Sequence, residues 1–246
     1  MELGITGRRA AVAAASRGLG LATARALAAE GVEVAICGRD EATIASVASS
    51  FGATPIVADV GTAEGAEGFV RDATVALGGI DILVVNGGGP PSGTFDTFTD
   101  PAAYRAAFEQ SCTSSIAMCL AAVGPMRARG WGRILAITST SVREPIPGLI
   151  LSNTARSAFT SFLKTMATAV GPDGITVNSL QPGLHATDRL AELGLDLEAA
   201  AAGAPVRAIG RPEDFGATAA FLCSDHARYI TGVAVPIDGG RLAGLQ

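Results

Sequence analysis

Aromatic and charged residues are scarce in this chain of 246 residues, and what it lacks excludes several classes of protein. Aromatic residues make up 5%, with 1 Trp and 2 Tyr, and charged residues make up 17%. The net charge of -5 leaves no basic surface to follow a nucleic-acid backbone, and the scattered Lys and Arg form no polybasic membrane patch. No stretch approaches the roughly 20 apolar residues of a membrane helix. We therefore expect neither a nucleic-acid nor a membrane partner.

The cysteines show no pair at metal-ligand or redox spacing. All four lie in apolar segments, at Cys37, Cys112, Cys119 and Cys223. Such cysteines are typically buried free thiols, so we predict neither a disulfide scaffold nor a metal site. The N-terminal apolar run continues into a helical pattern without a cleavage-type boundary, which is not typical of a signal peptide. We expect a cytoplasmic protein.

Apolar strand patterns alternate with helical patterns along the whole chain, and hydrophobic residues make up 48% of it. Strands are predicted over residues 8–14, 32–37, 54–58, 80–85, 133–138, 175–180 and 233–237. Helices are predicted over residues 19–30, 41–50, 64–77, 101–129, 151–170 and 212–223, with a variable helical region before the last. The alternation predicts an α/β fold, a Rossmann-type doubly wound parallel sheet, in a single domain over residues 1–246.

A glycine-rich turn follows the first predicted strand and leads directly into a helix. Its residues are Ser16, Arg17, Gly18, Leu19 and Gly20. Small residues let the backbone approach a pyrophosphate, and the helix N-terminus supplies free N–H groups and a positive dipole end. A tight turn would use the same two glycines, so it is the strand, turn and helix together that favour a dinucleotide site.

The end of the second predicted strand indicates which dinucleotide is bound. A free ribose 2′-hydroxyl usually meets an acidic residue there, but Glu33 lies at the start of the strand and Arg39 at its end. Arg39 and Arg17 can converge on a 2′-phosphate through charge-assisted hydrogen bonds. The sequence therefore favours NADP(H) over NAD(H), the alternative being that both arginines are solvated at the surface.

Several ordered motifs resemble those of the short-chain dehydrogenase/reductase family, over essentially the whole chain. The nearest subgroup resembles 3-oxoacyl-carrier-protein reductases. After the glycine turn, the matching motifs are Asp59-Val60, Val85-Asn86-Gly87-Gly88, Gly132-Arg133-Ile134 through Ser139, Pro182-Gly183 with Thr187, residues 209–214 and Asp238-Gly239-Gly240. The resemblance implies cofactor contacts at Ser16, Arg17, Gly18, Leu19, Gly20, Arg39, Asp59, Val60, Asn86, Gly87, Gly88, Arg156, Pro182, Gly183, His185 and Thr187.

The resemblance also implies a catalytic Ser, Tyr, Lys and Asn, and the sequence departs from three of these. Ser139 matches the Ser, while Ser152, Arg156 and Ser111 take the places of Tyr, Lys and Asn. Ser152 and Arg156 are one helical turn apart and share a face. Arg156 can bind a ribose but cannot relay a proton, and Ser152 is a poor general acid although it can donate to an alkoxide.

Two other residues are candidates for the missing proton donor. His185 stands beside the expected nicotinamide site and titrates near neutrality, unless only its backbone contacts the carboxamide while its ring points to solvent. Glu144 lies in the loop after Ser139, where the alternative is a surface ion pair with Arg143.

These observations favour an NADP(H)-dependent oxidoreductase acting on a carbonyl or alcohol, with an atypical Ser-Ser-Arg site. The alternative is a nucleotide-binding protein of the same family with lost or strongly reduced catalysis and a binding or regulatory role. Halohydrin dehalogenases also use Arg in place of Lys, but they retain Tyr and lose the glycine turn, the opposite of this chain. The resemblance further implies a homodimer or homotetramer.

Overall fold

Strands and helices alternate along the chain in the computed structural model, which describes residues 2–188, 190 and 196–245. The strands are β1 Arg9–Val12, β2 Glu33–Gly38, β3 Thr54–Val57, β4 Ile82–Val85, β5 Gly132–Ile137, β6 Ile175–Pro182 and β7 Ala234–Ile237. The helices are α1 Gly18–Ala29, α2 Glu41–Ser49, α3 Ala63–Leu77, α4 Pro101–Phe108, α5 Ser114–Arg129, α6 Ile150–Val170, α7 Leu197–Ala202 and α8 Pro212–Leu222.

Within these residues the seven strands form one parallel sheet in the order β3-β2-β1-β4-β5-β6-β7. Ala11 in β1 lies between Ala35 of β2 and Leu83 of β4. The strand order therefore reverses at β1, and the crevice outside the carboxyl ends of β1 and β4 is where such sheets bind ligands. The predicted Rossmann-type doubly wound α/β fold is confirmed.

Helices cover both faces of the sheet, which is why its strands are continuous apolar runs. Every residue of β4 and of β5 is buried. One face packs in a cluster that includes Phe69, Met118 and Phe159, and the other in a cluster that includes Leu27 and Phe215. The four cysteines are buried and unpaired, as predicted.

The segment predicted as one helix over residues 101–129 is interrupted by a π-helical turn at Glu109–Thr113. Asp100 caps α4 by accepting the Ala102 N–H at 2.8 Å, and Pro125 lies within α5. A π turn adds one residue to a helical turn, and apolar spacing does not reveal it. Its effect is to bring Ser111, the middle residue of the turn, into the crevice region described below.

Other element boundaries agree with the prediction to within a few residues. In the variable region the structure shows α7, whose first N–H groups donate to Asp196. Residues 189 and 191–195 lie outside the described residues. Within the described ones, no helix combines the length and apolar character that a bilayer span requires.

The amino ends of β1 and β4 are joined by the carboxylate of Asp81, which is 3% exposed. Arg9 donates to it from Nε at 2.9 Å and from Nη2 at 3.0 Å, and Arg129 Nε lies 3.2 Å away. Burial opposes the ionisation of Asp81, but the hydrogen bonds from Arg9 and the charges of Arg9 and Arg129 outweigh it and lower its pKa. This ion cluster fixes the sheet at the end opposite the crevice.

Trp131, the chain's one Trp, lies at the same end of the sheet, directly before β5. Two guanidinium groups lie over its ring, with Arg8 at 3.9 Å and Arg133 at 4.2 Å from the ring centroid. The indole Nε1 donates to Asp225 at 3.2 Å. Cation–π contacts of this kind stabilise a desolvated guanidinium, and Arg133 is 3% exposed.

We expect Asp81→Asn to lower the free energy of unfolding at pH 7 by about 1–3 kcal/mol, because charged hydrogen bonds are lost while Arg9 and Arg129 remain. A lowered folded-state pKa stabilises the fold above the ordinary value of 3.8, and this stabilisation disappears as the pH falls through the folded value. The difference between variant and wild type should therefore shrink below about pH 4. Urea unfolding measured at pH 7 and pH 3 tests this.

The matched control is Asp72→Asn, since Asp72 forms an exposed ion pair with Arg71. We expect it to change the stability by less than about 0.5 kcal/mol. Equal stability of Asp81→Asn and wild type at pH 7 would show that the ion cluster contributes nothing net.

Candidate active site

The turn between β1 and α1 is anchored on the end of β2. Ala14 takes a left-handed conformation with φ of 46°, and its N–H donates to Cys37 Sγ at 3.3 Å. Ala15 N–H donates to the Cys37 carbonyl at 3.0 Å. Burial raises the pKa of Cys37 to about 12, so the thiol stays protonated and serves as a packing and hydrogen-bonding group.

Asn86, directly after β4, ties that strand to the same turn. Its Nδ2 donates to the carbonyls of Ala13 at 3.2 Å and Ala14 at 3.1 Å. A Cβ added at Gly20 would lie 2.6 Å from Asn86 Nδ2 and 2.9 Å from the Ala14 carbonyl oxygen. Only glycine fits at position 20 without a shift of backbone, and this explains one of the two glycines of the motif.

Helix α1 begins beyond Arg17 without a side-chain cap. Gly18 has φ of 63° and faces the Thr187 side chain across the crevice, while the guanidinium of Arg17 lies 3.9 Å from the Asp188 carboxylate. An uncapped helix N-terminus is a favourable place for a phosphate, since its N–H groups and dipole are directed there. Ser16 and Leu19 flank this position in the turn.

The carboxylate nearest to the end of β2 is already engaged. Asp40 caps α2 by accepting the Thr43 N–H at 2.8 Å. Hydrogen bonds from the Thr43 side chain and from this N–H lower the pKa of Asp40. Arg39, one residue earlier, is exposed and forms no ion pair or hydrogen bond with other described residues. The polar group available at this strand end is therefore a cation.

Asp59 and Val60 follow β3 at the same edge of the sheet. Asp59 is exposed and accepts the Gly61 N–H at 3.0 Å, whereas Val60 is buried. Glu109 of the π turn reaches this segment and accepts the Ala63 N–H at 2.8 Å. The predicted cofactor contacts Asp59 and Val60 thus lie beside the start of α3, and two side chains hold the backbone that follows them.

A small cavity brings several predicted residues together beyond the ends of β4 and β5. Its volume of about 10 Å³ is close to what one water molecule needs. It is lined by Val85, Asn86, Gly87, Gly88, Gln110, Ser111, Ser115, Ile137, Arg156 and Phe159. Ser111 is 6% exposed, and its buried Oγ has no hydrogen-bond partner. This hydroxyl is therefore available to bind a ligand or a water molecule.

Arg156 contributes the positive charge of this cavity. Its Nη1 donates to the carbonyls of Ile137 at 3.1 Å and Thr138 at 3.4 Å. Burial lowers the pKa of Arg156, and no carboxylate in the described ranges forms an ion pair with it. The guanidinium is thus held on the end of β5 by uncharged acceptors alone.

Sequence reasoning missed Gln110, which the structure places in the same cavity. Its Nε2 donates to the carbonyls of Gly88 at 3.3 Å and Gly89 at 3.4 Å. The side chain therefore fixes the loop after β4 from the π turn. In the sequence, only the position of Gln110 beside Ser111 indicated a role at the site. The π turn that directs its side chain into the crevice cannot be predicted from the sequence.

Ser139 and Ser152 lie on consecutive elements, at the end of β5 and in the first turn of α6. Ser139 Oγ accepts the Ser141 N–H at 3.1 Å, so its own proton remains for another acceptor. Ser152 is 8% exposed, and its hydroxyl forms no hydrogen bond with the described residues. Both hydroxyls are therefore capable of donating to a ligand.

The structure corrects the interpretation that the His185 ring points to solvent, while its role as a proton donor stays a hypothesis. The side chain is 5% exposed and meets Phe215 edge-on, with ring centroids 5.3 Å apart. Its Nδ1 donates to the Gly183 carbonyl at 3.2 Å. Burial lowers the pKa of His185 despite the opposing effects of that hydrogen bond and of Asp214, so the ring is neutral at pH 7.

The backbone around His185 is nevertheless closely packed at the crevice. Pro182 ends β6 beside Ile237 of β7. A Cβ added at Gly183 would lie 2.8 Å from the Asp238 Cα, so the glycine of this motif permits a close approach of two chain segments.

The expected ion pair between Glu144 and Arg143 is also wrong. Arg143 donates instead from Nε to Gln181 Oε1 at 2.6 Å and from Nη2 to the Ala234 carbonyl at 2.5 Å. Buried and partly buried acceptors on β6 and β7 hold the guanidinium better than an exposed carboxylate can. Glu144 stays exposed on the loop.

A larger cleft of about 840 Å³ runs along α1 and α8. It shares Arg17, Gly18 and Thr187 with the crevice but extends to Leu3 and Phe221, away from Ser139 and Arg156. Size alone therefore does not identify the site, and the convergence of polar groups at the strand ends is the better guide.

Comparison with known proteins agrees with this geometry. A family model described as Enoyl-(Acyl carrier protein) reductase matches residues 13–241. The human dehydrogenase/reductase SDR family member 4 is 33% identical over 240 residues, covering 94% of this chain and 86% of that protein. L-sorbose reductase from Gluconobacter frateurii, solved with NADPH and L-sorbose, gives a TM-score of 0.90 at 31% identity with both chains fully covered. A 7α-hydroxysteroid dehydrogenase solved with NADH gives 0.91 at 26%, covering 100% of this chain and 98% of that one.

We expect Gly20→Ala to destabilise the protein by about 1–3 kcal/mol and to weaken dinucleotide binding at least tenfold, because the added methyl displaces Asn86 or the Ala14 carbonyl. Thermal unfolding and calorimetric titration with NADPH measure the two effects. The control is Gly124→Ala in α5, where the methyl meets no atom within 4 Å. It should be neutral or stabilising by up to about 1 kcal/mol. Normal binding by Gly20→Ala would contradict the assigned turn.

Proposed function

The chain belongs to the short-chain dehydrogenase/reductase family, and on that premise we propose that it is an NADP(H)-dependent oxidoreductase acting on a carbonyl or alcohol. One arrangement supports this most directly. Asn86, Gly87, Gly88 and Arg156 line a single cavity at the ends of β4 and β5, and Arg156 bonds to the carbonyl of Thr138, the residue before Ser139. A nucleotide crevice and a hydrogen-bond donor for a carbonyl oxygen are thus adjacent.

The residues present fit a dinucleotide. The uncapped start of α1 supplies N–H groups to a pyrophosphate, and Gly20 allows Asn86 to hold the turn in place. Asp59 is exposed where an adenine would lie, and Thr187 faces Gly18 across the crevice. When bound, the nicotinamide supplies or accepts a hydride.

The preference for NADP(H) rests on Arg39. Related structures hold NADPH in one case and NADH in another, so the fold is compatible with both. Arg39 is exposed at the strand end that faces the adenosine ribose in this fold, and Asp40 is committed to capping α2. A guanidinium suits a 2′-phosphate, whereas a ribose 2′-hydroxyl needs a free acceptor.

The catalytic assignment gives each residue a limited task. Ser139 donates its hydroxyl proton in a hydrogen bond to the substrate oxygen, and Ser152 adds a second donor. Arg156 holds positive charge beside the ribose position, and Ser111 contributes a hydroxyl to the same cavity. None of the four is an effective general acid, so the proton that completes a reduction comes from water and the reaction is slower than with a positioned Tyr.

The absence of that acid favours a second candidate function, binding of the nucleotide without catalysis. The two candidate functions differ in the role of Ser139, which has no catalytic task in a protein that only binds the nucleotide. We also propose a homodimer or homotetramer, which membership of the family implies. A cytoplasmic location remains a prediction.

Arg39→Ala should weaken NADPH binding by about 10- to 100-fold, since it removes a charge-assisted hydrogen bond of roughly 1.5–3 kcal/mol, and should leave NADH binding unchanged. Isothermal calorimetry with both cofactors measures this. Arg71→Ala is the control, because it removes the same charge from an exposed position on α3. Similar wild-type affinities for NADPH and NADH would overturn the preference.

Ser139→Ala should lower kcat by about 10²- to 10³-fold while NADPH affinity stays constant, because it removes a donor to the developing oxyanion. The measurement is turnover on a panel of ketones, aldehydes and alcohols, with calorimetry for binding. Ser157→Ala, on an exposed face of α6, is the control. NADPH binding without turnover in the wild type would favour the binding function instead.

A further inference from the structure

Three consecutive glycines follow Asn86, and neither the backbone conformation nor the surrounding protein requires them. None of Gly87, Gly88 and Gly89 has a positive φ. A Cβ added at Gly87 would meet no atom within 4 Å, and those added at Gly88 and Gly89 would have their nearest neighbours at 3.6 and 4.0 Å. Glycine also serves where a backbone must approach a ligand closely. The missing side chains therefore leave space at the crevice for a bound molecule.

The glycine loop, residues 87–92, has few contacts of its own to keep it ordered. Outside the helices and strands of the described chain, no backbone hydrogen bond involves these residues. Pro90 and Pro91 have no N–H to donate. The next fixed point is Gly93, whose N–H donates to the Gly148 carbonyl at 2.8 Å. Because glycine loses more conformational freedom on ordering than any other residue, a ligand that had to order this loop would bind more weakly.

The side chain of Gln110 supplies the missing contact. Its Nε2 donates to the carbonyls of Gly88 at 3.3 Å and Gly89 at 3.4 Å. Within the part of the chain that the structure describes, no other side chain forms a hydrogen bond with residues 87–92. Gln110 also lines the cavity that contains Gly88 and Arg156. The order of the glycine loop thus depends on one amide group at the edge of the proposed cofactor site.

Gln110 is itself held in place by the π turn at Glu109–Thr113. Glu109 accepts the N–H of Ala63, the first residue of α3, at 2.8 Å. The Ser114 hydroxyl donates to the Gln110 carbonyl at 2.8 Å. Consecutive residues of one turn therefore hold the start of α3 and the loop after β4. This gives Gln110 a fixed base from which to order the glycine loop.

We propose that Gln110 is a positioning residue of the cofactor site, which keeps the glycine loop in the conformation that receives a dinucleotide. The inference rests on the proposed function. A protein in which only a fraction of the molecules has the competent loop conformation binds more weakly by that fraction. Gln110 raises the fraction by acting through the backbone of Gly88 and Gly89.

This effect is independent of the 2′-phosphate of NADP(H). The glycine loop follows β4, whereas Arg39 lies directly after β2, and β1 separates these two strands in the sheet. Loss of the Gln110 amide should therefore weaken the binding of NADPH and NADH by the same factor. Loss of Arg39, in contrast, is expected to affect NADPH alone.

The test uses Gln110→Met, which keeps the length of the side chain and removes the donor. Isothermal calorimetry should show a Kd about 3- to 10-fold higher than that of the wild type for both cofactors. The number of binding sites per chain and the melting temperature should stay at their wild-type values. A merely structural role would lower these two quantities and leave the Kd of the folded fraction unchanged. Gln110→Glu, which keeps the shape but has no N–H, should weaken binding as well.

Thr113→Ala is the matched control, because Thr113 is an exposed residue of the same π turn. It should bind both cofactors as the wild type does. Turnover on the carbonyl panel adds a second measurement. In Gln110→Met the KM for NADPH should rise with the Kd, whereas kcat at saturating NADPH should fall by less than about twofold, because the bound cofactor orders the loop in both proteins.

The inference is overturned by an unchanged Kd in Gln110→Met, by an equal loss of affinity in Thr113→Ala, or by a loss confined to NADPH. A fall in kcat with an unchanged KM also overturns it. Each of these outcomes leaves the proposed oxidoreductase function intact. A wild type that binds neither NADPH nor NADH overturns both the inference and the proposed function.

Discussion

The side-chain amide of Asn86 holds the end of β4 against the turn after β1, and the cofactor crevice depends on this contact. Two carbonyls of the turn, at Ala13 and Ala14, accept from one Nδ2, so the amide fixes where the turn leaves the sheet. The same contact leaves no room for a side chain at Gly20, and it involves the carbonyl of Ala14, whose backbone has a left-handed conformation. Strain at one residue is tolerated because β2, β4 and α1 all constrain it.

A second constraint sets the chemistry beyond β5. Arg156 is held by backbone carbonyls, so its position depends on the strand end and its charge does not depend on pH near neutrality. A lysine and tyrosine at these places would combine a charge with a proton that can leave. Under the proposed function, this chain keeps the positive charge of the site at Arg156, and solvent supplies the proton.

The sheet, its flanking helices and the glycine turn could be predicted because apolar runs and small residues carry them directly. The sequence also predicted Arg39, and not an acidic residue, as the polar group at the end of β2. The capping role of Asp40, the π turn at Glu109–Thr113 and the burial of the His185 ring could not be predicted, since each depends on contacts between distant segments. Gln110 remained hidden for the same reason, because a π turn decides which way it points.

The packing of Arg8 and Arg133 over the ring of Trp131 places the fluorescent indole at the end of the sheet opposite the crevice. The only indole lies before β5, while Ser139 lies after it, and a strand of this length places them roughly 20–25 Å apart. Its emission therefore reports on the integrity of the strand starts, where unfolding exposes it. A reduced nicotinamide bound in the crevice would quench the indole by energy transfer, so one Trp residue can report both folding and cofactor occupancy.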